Sequence, residues 1–306
     1  MISNGIAPRY SDIDAYSMAA ACVDEALRNA VCVGVDLNMI AGLDNFCWPD
    51  SVESAKTPDG RYKLAQLVRA NQAIDDVCRA YRLPCISGKD SMKNDVTMHG
   101  EKISVPPTIL FSLIGNHADV RKAVSSDFKR AGDHIYLLGE THQELGASEF
   151  AFMFRDEGSG GIGGEVPRIN PERNLAMYRA LTSAMSEGLV ASAHDCSDGG
   201  LAVALAECCF GADAGAVVDI SSLSRDCNHL DEWGALFGES LGRILVSVAP
   251  DDSDAFAAAM GSNACSRIGA VDQGVMITVN YGETEVLQAS MSELKKAWQG
   301  SLGGDA

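Results

Sequence analysis

The sequence predicts a mixed α/β chain of two domains. Apolar runs of strand length alternate with segments of helical periodicity on both sides of position 115. Between them Gly115 to Gly132 is more polar and reads as a connecting segment, which divides the chain into domains 1–118 and 119–306. With 306 residues and 46% apolar content, there is enough material for two medium cores. No short-period repeat is present.

In the first domain, Asp12 to Ala30 carries Met18, Cys22, Ala26 and Ala30 near helical spacing, so a helix is expected, running into a strand at Val31-Cys32-Val33-Gly34-Val35. A second helix is expected from Tyr62 to Arg82, with Ile74, Val77, Cys78 and Tyr81 on one face; Pro84 closes it before a short strand, Cys85-Ile86-Ser87. Val105-Pro106-Pro107 introduces another strand, Thr108 to Ile114. In the second domain, His134 to Leu138 reads as a buried strand. Asn170-Pro171-Glu172 is a helix start, with a capping side chain and proline at the first helical position. Leu189 to Ala193 reads as a strand, Leu201 to Cys209 as a helix, and Ala216 to Ile220, Arg243 to Val248 and Val275 to Val279 as strands.

A net charge of −18 with scattered Lys and Arg argues against nucleic acid or a membrane surface as a partner. The densest basic segment, Lys122 to Arg130, is diluted by Val124, Asp127 and Phe128. The ten cysteines form no CxxC pair and sit largely in apolar runs, so buried reduced thiols are expected. Without a basic, then apolar, amino-terminal leader or an apolar run of membrane-spanning length, the chain is expected to be cytoplasmic.

Three segments carry chemistry. Ile86 to Asp95 contains Gly88-Lys89-Asp90-Ser91, read as a turn after an apolar strand; backbone N–H groups, a cation and hydroxyls together suit phosphate. It is not a P-loop: the upstream Gly and the following helix are missing, and a merely structural turn fits the same letters. Glu25 and Asn29, four apart on a helix, offer two oxygens to a hard cation such as Mg²⁺, although a solvated helix face would look the same. His194-Asp195-Cys196-Ser197-Asp198-Gly199-Gly200 connects a strand to a helix start, where N–H groups favour anions and Asp195 could hold a metal; the plainer reading is a glycine loop capped by Asp198. His194 reads as a packing or hydrogen-bonding residue of that loop. Gly158 to Gly163 fits G-x-G-x-x-G by letters, but no βαβ unit frames it, and it reads as a mobile surface loop.

With Asp44-Asn45-Phe46-Cys47-Trp48-Pro49-Asp50, these segments in this order resemble the formylglycinamidine ribonucleotide synthetase family, ATP-dependent ligases of purine biosynthesis, in the carboxy-terminal synthetase half. The similarity runs from Gly5 to about Leu302. It implies an aminoimidazole ribonucleotide synthetase-like fold: an amino-terminal domain whose sheet closes a barrel with a second copy, and a carboxy-terminal α/β sandwich domain. It also implies Glu25, Asn29 and Asp195 as Mg²⁺ ligands, Asp44, Gly88 and Ser197 as contacts to ATP or ADP, and Ser91 as a substrate contact. The small form of the family has Asn where Lys89 stands; an ammonium cannot ligate Mg²⁺, so Lys89 is assigned to a phosphate. Phe46 and Trp48 are expected as core or wall residues, and the segments Leu145 to Glu149 and Leu236 to Ser240 as structure only.

The family reaction phosphorylates the formyl-amide oxygen of formylglycinamide ribonucleotide with ATP, and ammonia then displaces phosphate. The catalytic histidine of the other synthetase half and the glutaminase with its nucleophilic Cys have no counterpart in this sequence, and a further metal-binding Asp would precede it. No catalytic residue is therefore assigned. The resemblance implies a subunit or an excised fragment, partnered as a homodimer or by the missing amino-terminal half, with a glutaminase domain or subunit supplying ammonia. The alternative is a non-catalytic module, since the large form retains ADP structurally at the site carrying the Glu-Asn-Asp set.

Overall fold

The computed structural model describes residues 1–154, 164–212, 214–226 and 230–300. The Gly158 to Gly163 run and Cys227 lie outside them. By contacts along the chain there are two compact units: Met1–Ala30, Val35–Ala118 and the described part of Glu144–Leu175 form the first, and Val31–Gly34, Asp119–Gln143 and the described part of Ala176–Ala306 form the second.

In the first unit, β1 (Ile2–Ile6) leads to α1 (Ala15–Cys32), β2 (Ile40–Cys47), α2 (Gly60–Tyr81), β3 (Cys85–Ser91), the hairpin β4 (Asp95–Met98) and β5 (Glu101–Ser104), and β6 (Thr108–Gly115). The sheet order is β1-β6-β2-β3, antiparallel except for the parallel pair β2 and β3 joined by α2. Alternation in β6 puts Ile109, Phe111 and Leu113 on the buried face and Leu110, Ser112 and Ile114 on the other. α1 is lined by Met18, Ala19, Ala20, Ala21, Cys22 and Val23, all buried, as expected of a helix apolar nearly all round. Gly5 of β1 allows close approach to this helix: a Cβ there would stand 2.2 Å from the Cys22 carbonyl oxygen.

One ion pair is sealed inside this unit. Arg28 donates to Asp24 one helical turn away, both essentially unexposed. Tyr81 of α2 donates its hydroxyl to the same carboxylate, and Asn174 adds an amide N–H at 3.1 Å. A buried carboxylate is tolerable only with such a full set of partners.

The second unit contains β7 (His134–Leu138), β8 (Ser192–Asp195), α5 (Gly200–Phe210), β9 (Gly215–Asp219), α6 (Glu232–Phe237), β10 (Ile244–Val248), α7 (Ser253–Met260), β11 (Cys265–Asp272), β12 (Met276–Tyr281), β13 (Thr284–Ser290) and α8 (Met291–Gly300). Between β7 and β8 run α3 (Glu149–Met153) and α4 (Pro171–Ser186), α3 in the first unit and α4 divided between the two at Leu175 and Ala176. The seven strands run β13-β12-β9-β11-β7-β10-β8, with β9 and β12 the parallel pair. Ile135 and Leu137 of β7 share one core with Leu201, Leu205 and Cys208 of α5 and Leu236 of α6. On the other face Tyr136 packs on Phe256 of α7 with ring centroids 5.1 Å apart. Helices thus cover both faces, which is why β7 beyond His134 and β10 are apolar on both faces, apart from Ser247, whose hydroxyl pairs with that of Ser192.

Two expected strands are displaced, for the same reason. Val31-Cys32-Val33 is not a strand: α1 continues through Cys32 and is closed at Gly34, φ 85°, where Gly34 N–H bonds Val31 O at 2.9 Å and Val35 N–H bonds Ala30 O at 3.2 Å. At the end of α4, Gly188 at φ 81° donates to Met185 O, and Leu189 donates to Ala184 O, both at 3.0 Å. Leu189 is thereby held in the helix closure, and the strand begins only at Ser192, so His194 and Asp195 belong to β8 itself. β-branched content gave way in both places to a left-handed glycine.

Candidate functional site

The sequence-derived residues fall into two groups, one in each unit. In the first unit, Gly88-Lys89-Asp90-Ser91 is strand and not turn: β3 pairs with β2 in parallel register through Asp44↔Gly88, Asn45↔Lys89, Phe46↔Asp90 and Cys47↔Ser91. The chain turns only afterwards, at Met92 to Asn94, where Lys93 has φ 60°. The consequence is geometric: successive residues point to opposite faces.

Asp44 and Gly88 share one face, and the absent side chain of Gly88 makes room for the carboxylate, since a Cβ there would lie 2.2 Å from Asp44 Oδ1. Burial, reinforced by the nearby Asp90 carboxylate, raises the pKa of Asp44. Asp44 lines a groove of about 610 Å³ with Ile74, Cys78 and Arg79 of α2 and with Pro84 and Cys85. Lys89 and Ser91 share the opposite face, where the Lys89 ammonium donates to the Ser91 hydroxyl. Ser91 is fixed further by its carbonyl, which accepts from Asn94 Nδ2 at 2.6 Å. Phe46 and Trp48 are buried with centroids 5.9 Å apart, and Trp48 Nε1 donates to Lys63 O at 3.2 Å, which makes them core.

Glu25 and Asn29 do project from one face of α1, toward β1. Glu25 Oε2 accepts the Ile6 N–H at 2.9 Å, and Asn29 Nδ2 donates to Asn4 O at 3.3 Å, which orients the amide. The donors are hard oxygens of the kind Mg²⁺ takes, and Mg²⁺ commonly uses one or two carboxylates with water and phosphate completing its shell. Among the described residues no group of three or more His, Cys, Asp or Glu forms a ready cage. The donor set fits a cation that arrives with a ligand.

In the second unit, Asp195 closes β8 and is 6% exposed. The loop to α5 is satisfied from within: Ser197 Oγ donates to Asp195, Gly200 N–H bonds Ser197 O at 3.0 Å, and Gly199 N–H bonds Glu239 Oε1 at 2.9 Å. Gly199 and Gly200 have φ 76° and 65°, and a Cβ on Gly200 would meet Gly238 O at 2.5 Å, so both glycines are required. The amino end of α5 thus already faces a carboxylate, Glu239, which lies in the segment Leu236 to Ser240 expected to be structure only. An acid between Gly238 and Ser240, adjoining an otherwise apolar run, was the available signal.

His194 bonds Glu207 Oε2 at 2.8 Å through Nε2, and its Nδ1 lies 3.5 Å from Asp195 Oδ1. Burial works against the charged ring, but the two carboxylates outweigh it and push the pKa up to about 9. With both ring nitrogens facing carboxylates, His194 is held in the scaffold of this loop beside Asp195.

This two-unit α/β architecture, with its mostly antiparallel seven-stranded sheet, has known counterparts. The profile of the AIR synthase related protein C-terminal domain matches residues 130–282, and the chain belongs to that family. The fold is that of Thermotoga maritima PurL: the PurL complexed with FGAR superposes with TM-score 0.73 at 18% identity, covering 96% of this chain and 45% of that one. The T. maritima PurL complexed with ATP gives 0.69 at 17%, covering 96% and 43%. Hydrogenase maturation protein HypE in complex with ATP gives 0.64 at 14%, covering 95% and 85%. The chain spans less than half the length of the PurL chains it matches.

Proposed function

We propose that this chain is one synthetase half of an ATP-dependent C–N ligase of the formylglycinamidine ribonucleotide synthetase type. The observation that carries the reading is the coincidence of motif order with fold: the segments bearing Glu25, Asn29, Asp44, Gly88 and Asp195 follow in the family's order within a chain of which 96% superposes on a PurL whose complex contains FGAR. On this reading the substrates are formylglycinamide ribonucleotide, ATP and glutamine-derived ammonia, and the second half comes from another copy or from a separate amino-terminal half.

The roles follow from chemistry. Asp44 and Gly88 meet the nucleotide along the α2 side of β3, where a residue larger than glycine would displace the carboxylate. On the opposite face of β3, Lys89 exchanges its Ser91 partner for a phosphate oxygen, which frees the Ser91 hydroxyl for substrate. Glu25 with Asn29, and separately Asp195, are Mg²⁺ ligands, and Ser197 contacts nucleotide. Mg²⁺, when bound, neutralises phosphate charge that a protein of net charge −18 would otherwise repel.

A second reading, a nucleotide-binding structural module, is favoured by one observation. The polar groups of the Asp195 to Gly200 loop are already bonded to one another and to Glu239, as in a site built to hold its shape.

The two readings separate in a turnover assay. With ATP, Mg²⁺ and ammonium, amidine formation is expected from this chain only when the other synthetase half is added, and Ser91→Ala or Gly88→Val should then lower it at least tenfold. Steady amidine formation by the chain alone would overturn the half-site reading. Full turnover by the assembled pair carrying both substitutions would leave the structural module.

A further inference from the structure

The apolar setting of most cysteines predicts buried, reduced thiols, and Cys22, Cys32, Cys196, Cys208 and Cys209 are buried. Cys85 is different: it is exposed, at the first position of β3, and its Sγ lies 3.7 Å from Sγ of the buried Cys78 on the last turn of α2. Both line the Asp44 groove. We infer that Cys85 and Cys78 form a thiol-modification site, in which Cys85 is captured by a small-molecule disulfide of the glutathione type and Cys78 resolves the adduct into an intramolecular bridge.

Geometry carries the inference. Two sulfurs already in contact need approach by only about 1.7 Å to reach bonding distance. The backbone at both ends is held: Leu83 N–H bonds Cys78 O at 2.9 Å, and Gly42 N–H of β2 bonds Pro84 O at 2.8 Å. The sulfurs therefore meet through side-chain rotation. The division of labour follows from exposure. An oxidant in solution reaches Cys85 through the open groove, while Cys78, 8% exposed, is shielded until an adduct forms next to it. Burial raises the pKa of both thiols, so exchange should be slow but is not blocked.

The chemistry balances. The Cys85 thiolate attacks one sulfur of oxidised glutathione and expels a glutathione thiolate, leaving a mixed disulfide. The Cys78 thiolate then attacks Cys85 Sγ and expels the second glutathione. The protons lost by the two cysteines go to the two glutathione thiolates; the cysteines are oxidised and the added disulfide is reduced.

The test is to incubate the reduced, folded chain with oxidised glutathione and map the products by mass spectrometry without reduction. The expected product is a Cys78–Cys85 bridge in the unsubstituted protein and a stable glutathione adduct on Cys85 in Cys78→Ser. Cys85→Ser, at an exposed position, should remove both and slow total thiol loss several-fold while circular dichroism stays unchanged. Oxidation that spares Cys85, or glutathione adducts on Cys85 that never resolve in the unsubstituted protein, would overturn the inference.

Discussion

Burial alone would keep His194 neutral, yet Asp195 and Glu207 hold its proton to a pH of about 9. A pKa raised on folding stabilises the protein fully below the unfolded value of about 6.5, and the contribution is lost as pH climbs to 9; a shift of this size is worth on the order of 3 kcal/mol. The urea midpoint should therefore fall between pH 6.5 and 9, and His194→Gln, already less stable at pH 7, should flatten that decline. The buried thiols, whose pKa values are also raised, add losses only above pH 9. A variant with the same decline as the parent would show that the imidazolium is not held as described. Arg82 makes a second residue-scale case. It ends α2 in the left-handed region at φ 55°, closing the helix with the bond pattern that Gly34 and Gly188 provide for α1 and α4. Arg82→Gly should gain ~0.5–1 kcal/mol in chemical denaturation, because the relief of a left-handed side chain exceeds the entropic cost of glycine. A loss of stability would contradict it.

At the scale of elements, the Asp24 carboxylate gathers Arg28, Tyr81 and Asn174 from α1, α2 and α4. Asp24→Ala should cost ~3–5 kcal/mol, because it leaves an uncompensated guanidinium in the core. An effect below 1 kcal/mol would mean that water reaches the pair. The signal for this network was present in the sequence as an Asp and an Arg four apart among apolar residues, within the segment read for Glu25 and Asn29. What the sequence made legible was periodicity: α2, α4, α5, β6 and β7 fall close to their expected positions because the spacing of apolar residues reports buried faces directly. What it hid was pairing. Gly88 to Ser91 reads as a turn from its Gly, Asp and Ser, and only the register with β2 makes it a strand with two faces. Glu239 reaches Gly199 from forty positions away in the sequence, and no local pattern could have announced that contact.

The whole molecule presents an open sheet in its first unit. β1 and β3 are the edges of the order β1-β6-β2-β3, and Ile2 and Ile114, paired across β1 and β6 on the face away from the core, are 79% and 53% exposed. An open edge beside exposed isoleucines invites pairing with another chain. The isolated chain is therefore expected to dimerise through this unit, and Ile114→Lys should shift it to monomer in sedimentation velocity; a parent chain that is monomeric at micromolar concentrations would contradict this. Among the described residues no helix is long and apolar enough to cross a membrane.

The proposed function makes nucleotide binding dependent on a cation held by Glu25 and Asn29 in the first unit and by Asp195 in the second. Calorimetric titration of the chain with ADP, with and without Mg²⁺, tests this most directly. Binding should require Mg²⁺, and Asp195→Ala should weaken it by a larger factor than Lys89→Ala. Equal affinity in the presence of a chelator would contradict the account.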